Sequence, residues 1–208
     1  MVANSAEGIR WDLNDLFSSH DDPRIEAMLK DCLGRAESFA NLFRGTINTA
    51  AGPTPEHLLQ GLNQLEEIEE SLSRVANYSS LLYAADTLKP EYQDLEQKVE
   101  QRVTEVQNLL LFFELEWLSL GDDVVKHLVG HPTLKSYGHY LENLRRFRPH
   151  RLSEPEEKIV NEKDNTGRNA FGRLFSEIPS SLSFSLEQEG KVNELTLSEL
   201  LALLHQPD

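Results

Sequence analysis

The chain of 208 residues carries 20 lysines and arginines against 35 aspartates and glutamates, a formal net charge of −15, with 39% hydrophobic residues. That length fits one large domain or one and a half, and the apolar share suffices for a core. The acid excess argues against nucleic acid and anionic membrane surfaces as main partners, because phosphate binding needs a net positive face.

A bilayer-crossing helix needs about 18 or more consecutive apolar residues. The richest run here, 109–120, is broken by Glu114 and Glu116. The residues before Trp11 hold no apolar run, so no signal peptide is expected and the expected location is cytoplasmic. The lone cysteine, Cys32, rules out an internal disulfide or a cysteine zinc site. It falls on an apolar stripe and reads as a buried small hydrophobe.

In chain order, Trp11, Leu13, Leu16 and Phe17 are expected to dock the N-terminal segment onto the body. Asp22-Pro23 opens a helix, with Asp22 as N-cap and proline at the first helical position. Ile25, Met28, Leu29, Cys32, Ala36, Phe39, Ala40 and Phe43 recur every three or four residues and predict one core-facing stripe that ends near Gly45. A second helix opens at Thr54-Pro55 and runs towards Lys89-Pro90. Its buried side reads Leu58, Leu62, Leu65, Ile68, Leu72, Val75, Leu82 and Ala85, and its wet side Glu66, Glu67, Glu69 and Glu70. A third helix opens at Pro90 and reaches about Leu120, with a stripe from Tyr92 through Val99, Val106 and Phe113 to Trp117. The short junction at Lys89-Pro90 folds these two helices back as an antiparallel pair.

Gly121-Asp122-Asp123 caps a short helix to about Val129, and Pro132 starts another that carries Leu134, Tyr137, Tyr140, Leu141 and Leu144. Ser153 and Glu156 have capping-box spacing, which predicts a helix from Glu154 to about Asn165. Thr166-Gly167 reads as the next start, with Ala170, Phe171, Leu174, Phe175 and Ile178 as an apolar stripe that Pro179 should end. Leu182 to Leu186 alternates as a strand, Glu189-Gly190 is a turn, and Lys191 to Leu195 returns. Thr196 and Glu199 form a second capping box, and Pro207-Asp208 reads as a junction into further chain. The fold class is therefore mainly α: an antiparallel long-helix bundle, then short helices and a small β-hairpin near the C-terminus. The expected division is 1–121 for the long helices, 122–180 for the short ones and 181–208 for the hairpin and the start of a further region.

Chemistry-bearing motifs are sparse. His127 and His131 have the i, i+4 spacing of a helical zinc pair, but Leu128 stands where a general-base glutamate belongs, and Gly130 and Pro132 interrupt the helix. These read as polar surface histidines. No G-x-S-x-G, P-loop or G-x-G-x-x-G occurs. Arg145, Arg146, Arg148 and Arg151 fall within seven residues, with His150 among them. Cations at a helix C-terminus are favoured by its dipole. The same group, with Arg168 and Arg173, could instead line a peptide channel or an interdomain seam by meeting carboxylates.

Pro149 to Ile159 and Thr166 to Phe175 resemble the oligoendopeptidase F family of zinc metallopeptidases. Trp11 to Phe17 and Leu195 to Leu201 are similar to that family too, in the same order and spacing. The resemblance implies a helical N-terminal lobe that walls a channel for short unstructured peptides. It also implies a C-terminal catalytic lobe bearing zinc on H-E-x-x-H and a later ligand, with a glutamate base that activates a zinc-bound water. This sequence holds no H-E-x-x-H, so no catalytic or metal residue carries over, and the chain alone is expected to be inactive. The competing reading is a self-sufficient acidic helical module that binds a protein partner. The two differ in one respect: a lobe leaves apolar surface open near its last helices, whereas a complete module closes it.

Overall fold

The structure, a computed structural model, describes residues 11–188 and 190–205. Three long helices make the body: α1 (Pro23–Phe43), α2 (Pro55–Ala85) and α3 (Pro90–Ser119). Each start is written in the sequence. The Asp22 carboxylate accepts from the Ser18 and Arg24 amides at 3.0 and 2.9 Å. The Arg24 side chain, with those amides, holds its carboxyl far below the usual range. Thr54 Oγ1 accepts from the His57 amide at 3.2 Å, and Pro55 and Pro90 occupy first helical positions.

The core is continuous from Phe17 to Leu141. Phe39 stacks near Phe43, Phe112 and Phe113, with ring centroids 4.7, 5.8 and 5.3 Å away. Gly61 permits the close approach of α2 and α3, since a Cβ there would lie 2.7 Å from the Phe113 ring. The predicted stripes of α1, α2 and α3 point inward apart from Ala85, and the predicted docking of Trp11 fails. Ala85 is exposed in the last turn of α2, beyond the covering helix, and Tyr78 and Tyr83 are buried there instead. Trp11 is 89% exposed rather than docked. The chain closes onto the body only at the turn where the Leu16 amide reaches the Leu13 carbonyl at 2.9 Å, so Leu13, Leu16 and Phe17 pack and Trp11 does not.

α4 (Asp122–Val129) and α5 (Gly138–Arg146) close one end of the body and feed Val125, Leu128 and Leu141 into the same core. The helix expected from Pro132 is interrupted: Pro132–Leu134 is a single 3-10 turn, and α5 starts only at Gly138. The spacing Leu134–Tyr137–Tyr140 fits a tight turn as well as a helix, so periodicity alone does not separate them. Trp117 is fully buried beneath α5, and its Nε1 donates to the Leu141 carbonyl at 3.2 Å.

α6 (Glu154–Thr166) and α7 (Arg168–Ser181) form a helical hairpin outside α3. The Glu156 carboxylate reaches back to the Ser153 amide at 2.9 Å, as the capping box predicts. Thr166 closes α6 rather than opening α7. Gly167 makes the break, because a Cβ there would sit 2.8 Å from the Lys163 carbonyl. Pro179 does not end α7, which continues to Ser181. It removes one hydrogen bond, to the carbonyl of Phe175, a residue exposed enough for water to satisfy the freed group. Strands β1 (Ser183–Gln188) and β2 (Lys191–Thr196) pair antiparallel, Phe184 opposite Leu195. Thr196 and Glu199 cap α8 (Leu197–Ala202) by a reciprocal box. Pro207 and Asp208 lie outside the described residues.

Candidate functional site

The arginine cluster gathers on the C-terminal end of α3 rather than on its own helix. Arg145 Nη1 donates to the carbonyls of Trp117, Leu118 and Leu120 at 3.3, 2.9 and 3.0 Å, and the same guanidinium pairs with Asp122. Arg148 joins Asp122 at 2.8 Å, and Arg151 donates to the Leu115 carbonyl at 3.3 Å and to Ser119 Oγ. The last carbonyls of a helix have no partner within it. Here two cations from further along the chain supply them, and Arg145 is left with 13% of its side chain exposed. His150 is exposed on the 3-10 turn Arg148–His150. Arg168 pairs with Asp164 within one stretch of backbone and stays open to solvent. Arg173 stands apart, paired with Glu100 of α3 and donating to the Asn165 carbonyl at 3.3 Å. The six predicted residues therefore form one group of three and three separate positions.

A second site residue had no signal in the sequence. Glu116, mid-way through the last turns of α3, accepts from the Gly45, Ile47 and Asn48 amides at 2.6, 3.1 and 3.3 Å. It fastens the loop after α1, where Gly45 takes a positive φ of 77°.

Acidic side chains of α2, α3 and α6 cluster near Tyr140 of α5. Glu69, Glu114 and Tyr140 sense one another's charge, and Glu157 adds to Glu114. Burial first, then these carboxylates, pushes the Tyr140 hydroxyl up to about 12. Burial also raises Glu114 and Glu69. Glu69 remains open to solvent. Tyr137 donates to Glu66, which raises its own hydroxyl to about 12.

The third feature is apolar. Phe171, Leu174, Phe175 and Ile178 of α7 are 72, 47, 76 and 50% exposed. Leu182, Val192, Leu201 and Leu204 extend exposed apolar surface over the hairpin and the last helix. The predicted stripe exists and points outward. No residue of α6, α7 or α8 is buried.

Metal-binding geometry is missing among the described residues, where no group of three His, Cys, Asp or Glu side chains converges. The rings of His127 and His131 lie 6.3 Å apart, and His131 Nδ1 accepts from the Thr133 amide as a helix cap. These residues do not fit zinc. No described helix is long and apolar enough to cross a membrane.

A body of three long helices, a peripheral helical hairpin and an outward apolar face make a mainly helical fold with one small β-hairpin. The crystal structure of a peptidase candidate from Chlamydophila abortus superposes on 95% of this chain and 32% of its own, with a TM-score of 0.51 and 21% identity. Residues 116–184 match the family described as Oligopeptidase F. Oligopeptidase PepF of Bacillus subtilis is 29% identical over 155 residues, 73% of this chain and 22% of its own. Group B oligopeptidase PepB of Streptococcus agalactiae is 28% identical over 74% of this chain and 25% of its own. These matches support the reading of the chain as similar to an N-terminal portion of oligoendopeptidase F proteins. The chain spans about a quarter of the length of these curated relatives.

Proposed function

We propose that the chain is the N-terminal lobe of a zinc-dependent oligoendopeptidase that hydrolyses short unstructured peptides in the cytoplasm. The bundle walls the substrate channel with its acidic cluster, and the α7 face docks on the catalytic portion of the same parent. The observation that carries this reading is the outward stripe Phe171, Leu174, Phe175 and Ile178. Contiguous exposed apolar patches mark docking surfaces in soluble proteins. The occupant is the catalytic portion, because relatives named as oligopeptidases extend about four-fold beyond the matched length. A self-sufficient module would instead have closed this face. Zinc and its activated water belong to the catalytic portion; among the described residues of this chain no group of three donors converges.

The test is reconstitution with a quenched-fluorescent peptide of about eight residues. The chain alone is expected to give no turnover. Addition of the separately produced catalytic portion should restore cleavage that a chelator abolishes. Turnover by the chain alone, or a catalytic portion that neither binds it nor gains activity, would overturn the reading.

A further inference from the structure

The bundle and the segment that follows it are joined in different ways. Every residue of the buried core lies between Phe17 and Leu141. Beyond Leu144 no apolar side chain reaches that core, and α6 and α7 bury nothing. The contacts that hold them on the body are polar. Asn161 Nδ2 donates to Asn108 Oδ1 at 3.0 Å, Thr104 Oγ1 to Asn165 Oδ1 at 3.1 Å, and Tyr83 Oη to Glu177 at 3.3 Å. Arg173 pairs with Glu100, with 16 and 24% of the two side chains exposed.

Beneath α6 the fit is open. A cleft of about 780 Å³ opens beside the α3–α6 contact, lined by side chains such as Gln97, Gln101, Asn108, Lys158 and Glu162, with Leu33 and Leu109 its apolar members. The start of α6 is fastened otherwise. Arg44 at the end of α1 grips Glu154 with Nη1 at 3.0 and 2.9 Å from its two oxygens, and Arg148 and Arg151 pin the preceding turn to Asp122 and Ser119. One end is anchored by several charged contacts, and the far end is held by one ion pair and three hydrogen bonds over an open cleft.

We propose that α6, α7 and the β-hairpin form a hinged layer that pivots at Arg148–Glu154 and is clasped to the bundle by the Arg173–Glu100 ion pair. The layer swings without disturbing the core, because no core contact crosses the seam. Its outer apolar face moves with it, so whatever covers that face sets the angle of the clasp. Under the clasp, Glu96 has one oxygen, Oε2, with no hydrogen-bond partner among the described residues. Glu96 and Glu100 both feel the charge of the one Arg173 guanidinium, which leaves the clasp short of positive charge. Polar seams of this kind open sub-globally at far lower cost than cores do.

Hydrogen–deuterium exchange of the whole chain, read by peptide mass, tests this without reference to any peptidase activity. Amides of 155–181 are expected to exchange at least about 100-fold faster than those of 95–117. Raising sodium chloride from about 0.05 to 1 M screens the clasp and should speed exchange in 155–181 several-fold, leaving 95–117 unchanged. Arg173→Met and Glu100→Gln should each do the same at low salt. Arg168→Ala, which touches only Asp164, should not. Equal protection in the two segments, or a clasp variant that loosens α3 as much as α7, would overturn the proposal.

Discussion

The bundle and the layer outside it are built from similar helices and held by different physics. α3 buries Leu95, Val99, Val106, Leu110, Phe113 and Trp117 along one face. α7, with a comparable stripe, buries none of it. Apolar periodicity therefore says that a helix face wants cover and does not say where the cover comes from. Within the bundle the cover is local in sequence, from helices joined by short turns. For α7 no described residue buries the stripe.

The comparison breaks most sharply at Trp117. Trp117→Ala removes a fully buried ring and its hydrogen bond to Leu141, and should cost about 3–5 kcal/mol in urea unfolding of the bundle. A loss under about 1 kcal/mol would mean the core is not where the stability lies. Arg145→Ala comes next. It leaves three carbonyls at the end of α3 without their cationic donor and should cost about 2 kcal/mol, with α5 loosening before α1. If Arg145 instead served a ligand, stability would be unmoved.

Titration separates buried carboxyls from capped or paired ones, and Asp22 and Glu26 of the bundle join the lowered group. Glu96 and Glu114, in the bundle, are raised chiefly by burial. A carboxyl raised in the folded state contributes stability fully below its unfolded value, about 4.3, and loses it as pH rises through the folded value. Glu154, Glu156, Glu194 and Glu199, in the layer, are lowered, and their contribution is lost as pH falls below that same unfolded value. Thermal midpoints of the bundle should therefore decline as pH rises from about 4.3 through the raised folded values, and Glu114→Gln should flatten that slope. A slope unchanged in the variant would remove Glu114 from the account. The smallest effect belongs to Phe175→Asp, expected within about 0.5 kcal/mol of the parent chain. It should nonetheless lower binding of a hydrophobic dye, because the ring is 76% exposed.

Much of this architecture is legible in the residues. Asp22-Pro23 and Thr54-Pro55 announce helix starts by local hydrogen bonding, and Thr196 with Glu199 does the same for α8. What escaped is long-range. The break at Lys135–Tyr137 falls where the spacing suits either helix type. Pro179 was read as a stop, although near an exposed helix end the missing bond matters little. The arginine cluster was visible, but its acceptors lie 23 to 36 residues earlier in the chain, and nothing local marks them. Glu116 was read only as a charge that interrupts an apolar run, and its three amide partners come from a loop about 70 residues away.

Cys32 offers a practical consequence. Its sulfur is fully enclosed between α1 and α2, 4.0 Å from the Ile68 carbonyl, and burial pushes the thiol up. It is also the single thiol in the chain. An alkylating reagent can reach it only while the bundle is open, so the labelling rate counts those openings and ignores the swinging of anything outside. The protein thus carries its own stopwatch, set inside the part that moves least.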